Sequence, residues 1–272
     1  MDGMIRLNST RKYLILTEQS LQTAMAYRVR FFTTMVTGLI QVLSLYYIWR
    51  VVYLDQDSLS GYTLPEMVTY IFISYALRNL YSFDTERQIS DNIRDGSVTM
   101  ELIKPLNYQL ARLFESFGNV IFEGILVGLI VLVVGFGMFR IQGPASLLNG
   151  LLFAVSLVLS ILINFSLSYV VGLLSFSTTS IFGFINAKRF ISNFLSGGLI
   201  PLAFFPDWLH TIARLLPFQA MVDAPSTIYL GQIESPQIAN MLLGQLFWLI
   251  ALWVTGYFMW NWASRKITIH GG

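Results

Sequence analysis

The sequence predicts an all-α integral membrane protein with six transmembrane helices, and three observations predict it. Of its 272 residues, 55% are hydrophobic and only 12% charged, about half the charge of an average soluble domain. The mean hydropathy is +0.62. A bilayer crossing needs roughly 20 apolar residues in helical form, and runs with few or no charges recur six times. They cover residues 31–53, 64–83, 117–139, 147–175, 190–205 and 241–262. With no linker or internal repeat between them, residues 1–272 read as one transmembrane domain.

Each element has its own local signature. Around the short apolar run 13–16 stand Arg6, Arg11, Lys12 and Glu18; the run is too brief for the core of a secretory signal, so the start reads as mature protein. Residues 11–30 carry Leu14, Leu21 and Met25 at spacings of seven and four between basic residues, the pattern of a helix lying in the membrane interface. Span one has Arg50 near its end, and span two is interrupted by Glu66 and Arg78. Span three contains Glu123; spans four and six contain no charge, and span five is short.

Two segments between the spans are more than connectors. Residues 84–116 hold ten of the 32 charged residues, of both signs, around the apolar anchors Ile89, Ile93, Leu102 and Leu106. Gly96 supplies a turn and Pro105 starts a fresh element, so the expected shape is helix, turn, helix. After span five, Pro201, Pro206 and Pro217 divide a stretch in which Trp208, Leu209, Ile212, Leu215 and Leu216 keep helical spacing. This predicts a helix that breaks near the outer face, followed by short helices lying in or dipping into that face between residues 201 and 230.

Orientation follows from the basic residues. Thirteen of the 17 Lys and Arg fall on one side of the six spans and three, Arg50, Arg140 and Arg214, on the other, with Arg78 inside a span. The richer side is cytoplasmic, so both termini are expected there, as an even number of spans requires. Trp49, Tyr53 and Tyr62 at the outer face and Trp260 and Trp262 at the inner one fit the aromatic belts.

The chemistry expected of this chain is transport, not catalysis. It has no Cys, no GxxxxGK[ST] phosphate loop, and only His210 and His270 as imidazoles, outside any metal-ligand cluster. No nucleophile, base and orienter can be placed together, so no catalytic, metal or cofactor residue is expected. A net charge of +2 is too small to argue for nucleic acid. Charges within a span are costly and point to function by default. Arg78 and Glu123 fall at similar depth, where they either line a substrate path or snorkel and pack. Asn164, Ser166 and Ser168 make a polar stripe that serves as helix-to-helix glue or faces a transport cavity. A secondary transporter or channel without an ATPase is the rival reading; it needs carboxylates or His at mid-bilayer, and Glu123 alone comes near.

Two runs carry a family resemblance. Ile89-Ser-Asp91-Asn-Ile93-Arg94-Asp-Gly96, followed by Met100-Glu-Leu102-Ile-Lys-Pro105-Leu106, resembles the stretch between spans two and three of bacterial ABC exporter permeases of the second type, the ABC-2 family. Ser196-Gly197-Gly-Leu-Ile-Pro201-Leu-Ala-Phe-Phe-Pro206-Asp-Trp208, continued by Leu216-Pro217-Phe218, is similar to that family's signature ahead of the last span, as is the Tyr27-Arg28 pair. The resemblance covers essentially the whole chain. It implies an exporting permease subunit in a bacterial cell membrane, and the largely uncharged interior with Phe, Tyr and Ser favours an amphiphilic or lipid-like substrate. Its partners would be a second permease, identical or paralogous, and separately encoded ABC ATPases that bind the ATP and Mg. It further implies ATPase coupling through Ile89, Asp91, Ile93, Arg94, Gly96, Leu102 and Pro105. Ser196, Gly197, Pro201, Pro206 and Trp208 would belong to a re-entrant outer gate, with Arg78, Glu123 and Asn164 as polar groups within the membrane.

Overall fold

The computed structural model describes residues 9–26, 28–81, 85–178, 180–233 and 235–265. Arg6, Tyr27, Lys266 and His270 lie outside them, and so do the side chains of Arg28, Arg30 and Leu102. Four helices are long and apolar enough to cross a bilayer, with windows at Met35–Val52, Tyr108–Phe136, Leu147–Phe176 and Pro236–Ser264. They coincide with the first, third, fourth and sixth runs. The helices at the second and fifth runs are shorter and carry charge, for reasons given below.

Helix α1 (Ser9–Ala26) packs along α6 (Tyr108–Ile130). Their axes come close because residue 118 is Gly: a Cβ there would stand 2.6 Å from Thr17 O, Leu21 N and Ser20 Cβ. Thr17 Oγ1 donates to Phe114 O at 2.7 Å, and the Asn107 N–H donates to Tyr13 Oη at 3.1 Å. Leu14 and Met25 stay exposed while Leu21 is half-buried against α6, so the expected stripe is split: two of its three members face outward, and the Tyr13, Thr17 and Leu21 side holds the bundle. Helix α2 (Arg28–Val52) exposes Val36, Ile40, Leu43, Tyr47 and Val51 along one stripe and buries Val42 and Trp49 on the other.

A hairpin of β1 (Ser58–Leu59) and β2 (Tyr62–Thr63) turns through Ser60 and Gly61, both at positive φ, as a type I′ turn requires. It leads into α3 (Leu64–Leu80), which begins on a capping box: the Thr63 N–H donates to Glu66 Oε2 at 2.7 Å. Glu66 therefore caps the start of the helix and does not interrupt it. Met67 to Tyr75 are all buried, which makes α3 the central helix of the bundle. At 17 residues it spans about 25 Å, shielded by its neighbours over its middle.

Beyond α3 come α4 (Thr85–Arg94) and α5 (Val98–Ile103), then α6, which continues through a π-helical turn at Val131–Phe136. Helix α7 (Leu147–Leu173) packs against α4, α10 and α11. Its residues Ser156, Ser160, Asn164, Ser168 and Gly172 recur every four residues and line one face; the four polar ones are at most 2% exposed. Small and polar residues at that spacing let helices approach closely and bond across.

Helix α8 (Phe182–Leu195) differs from the expected fifth run. It begins eight residues before position 190, so Lys188 and Arg189 lie inside the helix, not in a connector, and it ends before Ser196. A charge is tolerated there because Glu86 of α4 neutralises Lys188 across 3.1 Å. After a turn at Gly197 (φ +78) come the 3₁₀ turn Leu202–Phe204, α9 (Asp207–Leu215) and α10 (Asp223–Leu230). Except for half-buried Tyr229, α10 is buried, packed on α3 and α7 inside the bundle. Helix α11 (Ser235–Ser264) closes the fold along α7.

Candidate functional site

Three places carry the polar chemistry of this fold: the α4–α5 hairpin, a cavity above it, and the stretch around Asp223. In α4 the sequence alternates polar residues with isoleucines at helical spacing, so one face turns inward. Ile89 is fully buried against Gly172 of α7, where a Cβ would meet it at 3.0 Å, and Ile93 is half-buried beside the same cluster. Asp91 and Arg94 are exposed on the other side. The turn to α5 uses Gly96 at φ +79 and an Asp95 carboxylate that accepts the Ser97 N–H at 2.8 Å. That hydrogen bond holds the Asp95 carboxyl below its ordinary pKa. Pro105 is exposed after α5, and Leu102 contributes backbone to α5 only, its side chain being outside the described residues.

The hairpin is tied to the bundle by a charge network that sequence reasoning missed. Arg112 is 7% exposed; its Nη2 lies 2.9 Å from Glu115 Oε1 and 3.4 Å from Glu101 Oε2, and its guanidinium stands over the Tyr108 ring at 5.1 Å. Lys104 reaches Glu101 at 2.7 Å. Tyr108 in turn stacks on Trp260 of α11, with centroids 3.9 Å apart. Arg112 therefore belongs to the interior of the fold, linking α5 and α6. Its spacing of three from Glu115 was the available signal.

Above the hairpin opens a cavity of about 410 Å³ between α2, α3, α7 and α8. It is lined by Gln41, Arg78, Glu86, Asn164, Lys188, Arg189, Ser192 and Asn193, among others. Arg78 and Asn164 are thus brought together, as Arg78 Nη2 donates to Gln41 Oε1 at 3.4 Å and Asn164 Nδ2 to Tyr81 O at 3.4 Å. Glu123 sits half-buried on α6 and does not line this cavity. Glu86 and Lys188 were not singled out as site residues. They stand 102 positions apart, and no local pattern announces the pair.

A second cavity of about 470 Å³ is lined by Arg214, Gln219, Ala220, Ala224, Gln237 and Gln245, among others. The wall between the two is the short stretch 219–224, since Met221 and Val222 face the first cavity while Gln219, Ala220 and Ala224 face the second. Asp223, 4% exposed, pins that wall. Its N–H donates to Ser196 O at 2.9 Å, and its carboxylate accepts from Leu202 N and Gln219 Nε2, each at 3.2 Å. Tyr70 Oη lies 2.8 Å from Gly197 O and 3.2 Å from the same carboxylate. Ser196, Gly197 and Pro201 are buried around this point, whereas Pro206 caps α9 at the surface and Trp208 is 65% exposed. Gln245 Nε2 of α11 holds the wall from behind, donating to Ala220 O at 2.7 Å.

Two polar compartments, the thin wall between them and a mixed-charge hairpin under the first compartment make up the candidate site. No curated protein matches the chain. A family model described as ABC-2 family transporter protein matches residues 39–271, which take in the hairpin, the wall, the second cavity and most of the first, and the chain therefore belongs to the ABC-2 family of transporter membrane subunits, which work with ABC ATPase partners.

Proposed function

We propose that the chain is the permease of an ATP-driven exporter that moves an amphiphilic or lipid-like substrate out of a bacterial cytoplasm. It crosses the cell membrane six times, α3 and α8 being the two shorter crossings, with both termini cytoplasmic. The observation that carries this reading is the two-faced α4–α5 hairpin: Ile89 is anchored to α7, while Asp91, Arg94 and Asp95 are presented outward. Buried anchors with an exposed mixed-charge rim suit docking into a groove of another subunit, the charges fixing register. ATP and Mg bind on that partner, and two copies of the permease, or this chain and a paralogue, frame the pathway.

Closure of the paired ATPases pushes on α4. Glu86 passes the movement to Lys188 of α8, and the wall at 219–224 yields toward the second cavity. The segment from Ser196 to Leu230, with α10 dipping into the bundle, acts as the outer gate. Arg94→Glu reverses a rim charge without touching the buried face, so insertion and Tm should persist. ATP-driven transport in reconstituted vesicles should fall at least about tenfold, as it should for Ile93→Asp. Full transport by both variants contradicts the docking assignment.

A further inference from the structure

We propose that the 410 Å³ cavity is a binding site for the anionic headgroup, a phosphate or carboxylate, of an amphiphile, with Arg78 and Arg189 as its ligands. This names a substrate class for the permease and rests on that reading. The charge balance points to it. Among the described lining residues three are basic and one, Glu86, is acidic, and Glu86 is already engaged by Lys188 at 3.1 Å. Two guanidinium groups remain without a carboxylate. Arg189 is exposed and makes no ion pair among the described residues. Among the described residues the Arg78 side chain makes one hydrogen bond, the 3.4 Å contact to Gln41, and its Nε is buried with no partner.

A second donor faces the same space unused: Ser192 Oγ, also buried and without a partner among the described residues. Keeping an unpaired guanidinium and an unpaired hydroxyl inside a bundle is costly unless something arrives to accept from them. A planar fork of N–H donors matches carboxylate and phosphate oxygens in paired hydrogen bonds. Around the cavity the outer surfaces of α2 and α8 expose Val36, Ile40, Phe190 and Phe194, apolar ground for an acyl tail attached to that headgroup.

The test uses the full chain purified in dodecyl maltoside, without ATP, and native mass spectrometry with three probes. These are dioctanoyl phosphatidate, its headgroup-free counterpart dioctanoylglycerol, and inorganic phosphate. The phosphatidate should bind and dioctanoylglycerol should not. Arg78→Gln should weaken phosphatidate binding about tenfold, the scale of a lost charge-assisted hydrogen bond. Arg50→Gln makes the same change of charge about 13 Å farther along α2 than Gln41 and should leave binding unchanged. Competition by inorganic phosphate identifies a soluble anion as sufficient; its absence identifies the lipid as the source. Arg189→Gln carries the test if Arg78→Gln does not accumulate. Equal binding of the neutral lipid, or phosphatidate binding indifferent to both arginine variants, overturns the proposal. No ATPase enters this assay, so a chain that lacks an ATPase partner fails the permease reading alone, and a chain indifferent to anions fails the site alone.

Discussion

Glu86→Gln should destabilise the protein by about 3–5 kcal/mol and abolish transport, because it strands Lys188 in the interior. The pair is nearly dry: the Glu86 and Lys188 side chains are 7% and 10% exposed, 3.1 Å apart, and Lys188 also donates to Ser168 Oγ of α7. One salt bridge thus ties together α4, α7 and α8. Removing only the negative charge leaves the ammonium with a neutral amide and one hydroxyl, and no counter-ion. Replacing both partners, as Glu86→Gln with Lys188→Met, removes the stranded charge, so most of the lost Tm in detergent should return. Transport should not return with it, since the double variant still lacks the link from the hairpin to the cavity. Equal stability of Glu86→Gln and the parent chain would show that the pair does not form. Recovered transport in the double variant would show that the pair carries no motion.

Gly197→Ala is the second change expected to act strongly, and it should open the wall between the two cavities. The backbone there is at φ +78, which costs an L-residue with a Cβ about 1–2 kcal/mol. The added Cβ would also stand 2.6 Å from Tyr70 Oη and 3.1 Å from Asp223 Cβ, with both residues buried and unable to retreat freely. The loop must withdraw, and with it go the Tyr70–Gly197 hydrogen bond of 2.8 Å and the Asp223–Ser196 one of 2.9 Å. The expected result is ATP hydrolysis that continues while net export collapses, together with a lower Tm. Adding Tyr70→Phe removes the clashing oxygen but not the cost of the left-handed backbone, so it should restore Tm only in part. A Gly197→Ala protein that transports normally would mean that Asp223 does not hold the wall through this turn.

Much of this was legible in the sequence, for a physical reason: the hydropathy that keeps a helix in lipid is a local property. The runs at 31–53, 117–139, 147–175 and 241–262 each overlap one long apolar helix. Gly96 and Pro105 punctuate the hairpin where turn chemistry says they should. What stayed hidden depends on distant partners. Lys188 and Arg189 read as a connector because charges end a hydropathic run, yet a carboxylate 102 residues away allows Lys188 inside a helix, while Arg189 stays exposed on it. Asp223 gives no local sign of burial, since its partners Tyr70, Ser196 and Leu202 come from other elements.

Two signals were present and underused. Thr63-x-x-Glu66 before an apolar run is a capping box, which turns Glu66 from an intruder into a helix start. Ser156, Ser160, Asn164, Ser168 and Gly172 form a five-member stripe, of which the expected set 164, 166 and 168 shares only Asn164 and Ser168. Counting at intervals of four recovers it, and along that stripe α7 meets Gln245, Tyr81, Lys188 and Ile89 in turn.

The central claim is that an ATPase grips the hairpin around Ile93, and photocrosslinking from that surface tests it most directly. With p-benzoylphenylalanine in place of Arg94, membranes should yield a covalent adduct to a subunit bearing a nucleotide phosphate loop, and the same probe at exposed Leu54 should not. An absent adduct at position 94, with transport sustained by an ion gradient in vesicles holding this chain alone, would contradict the account.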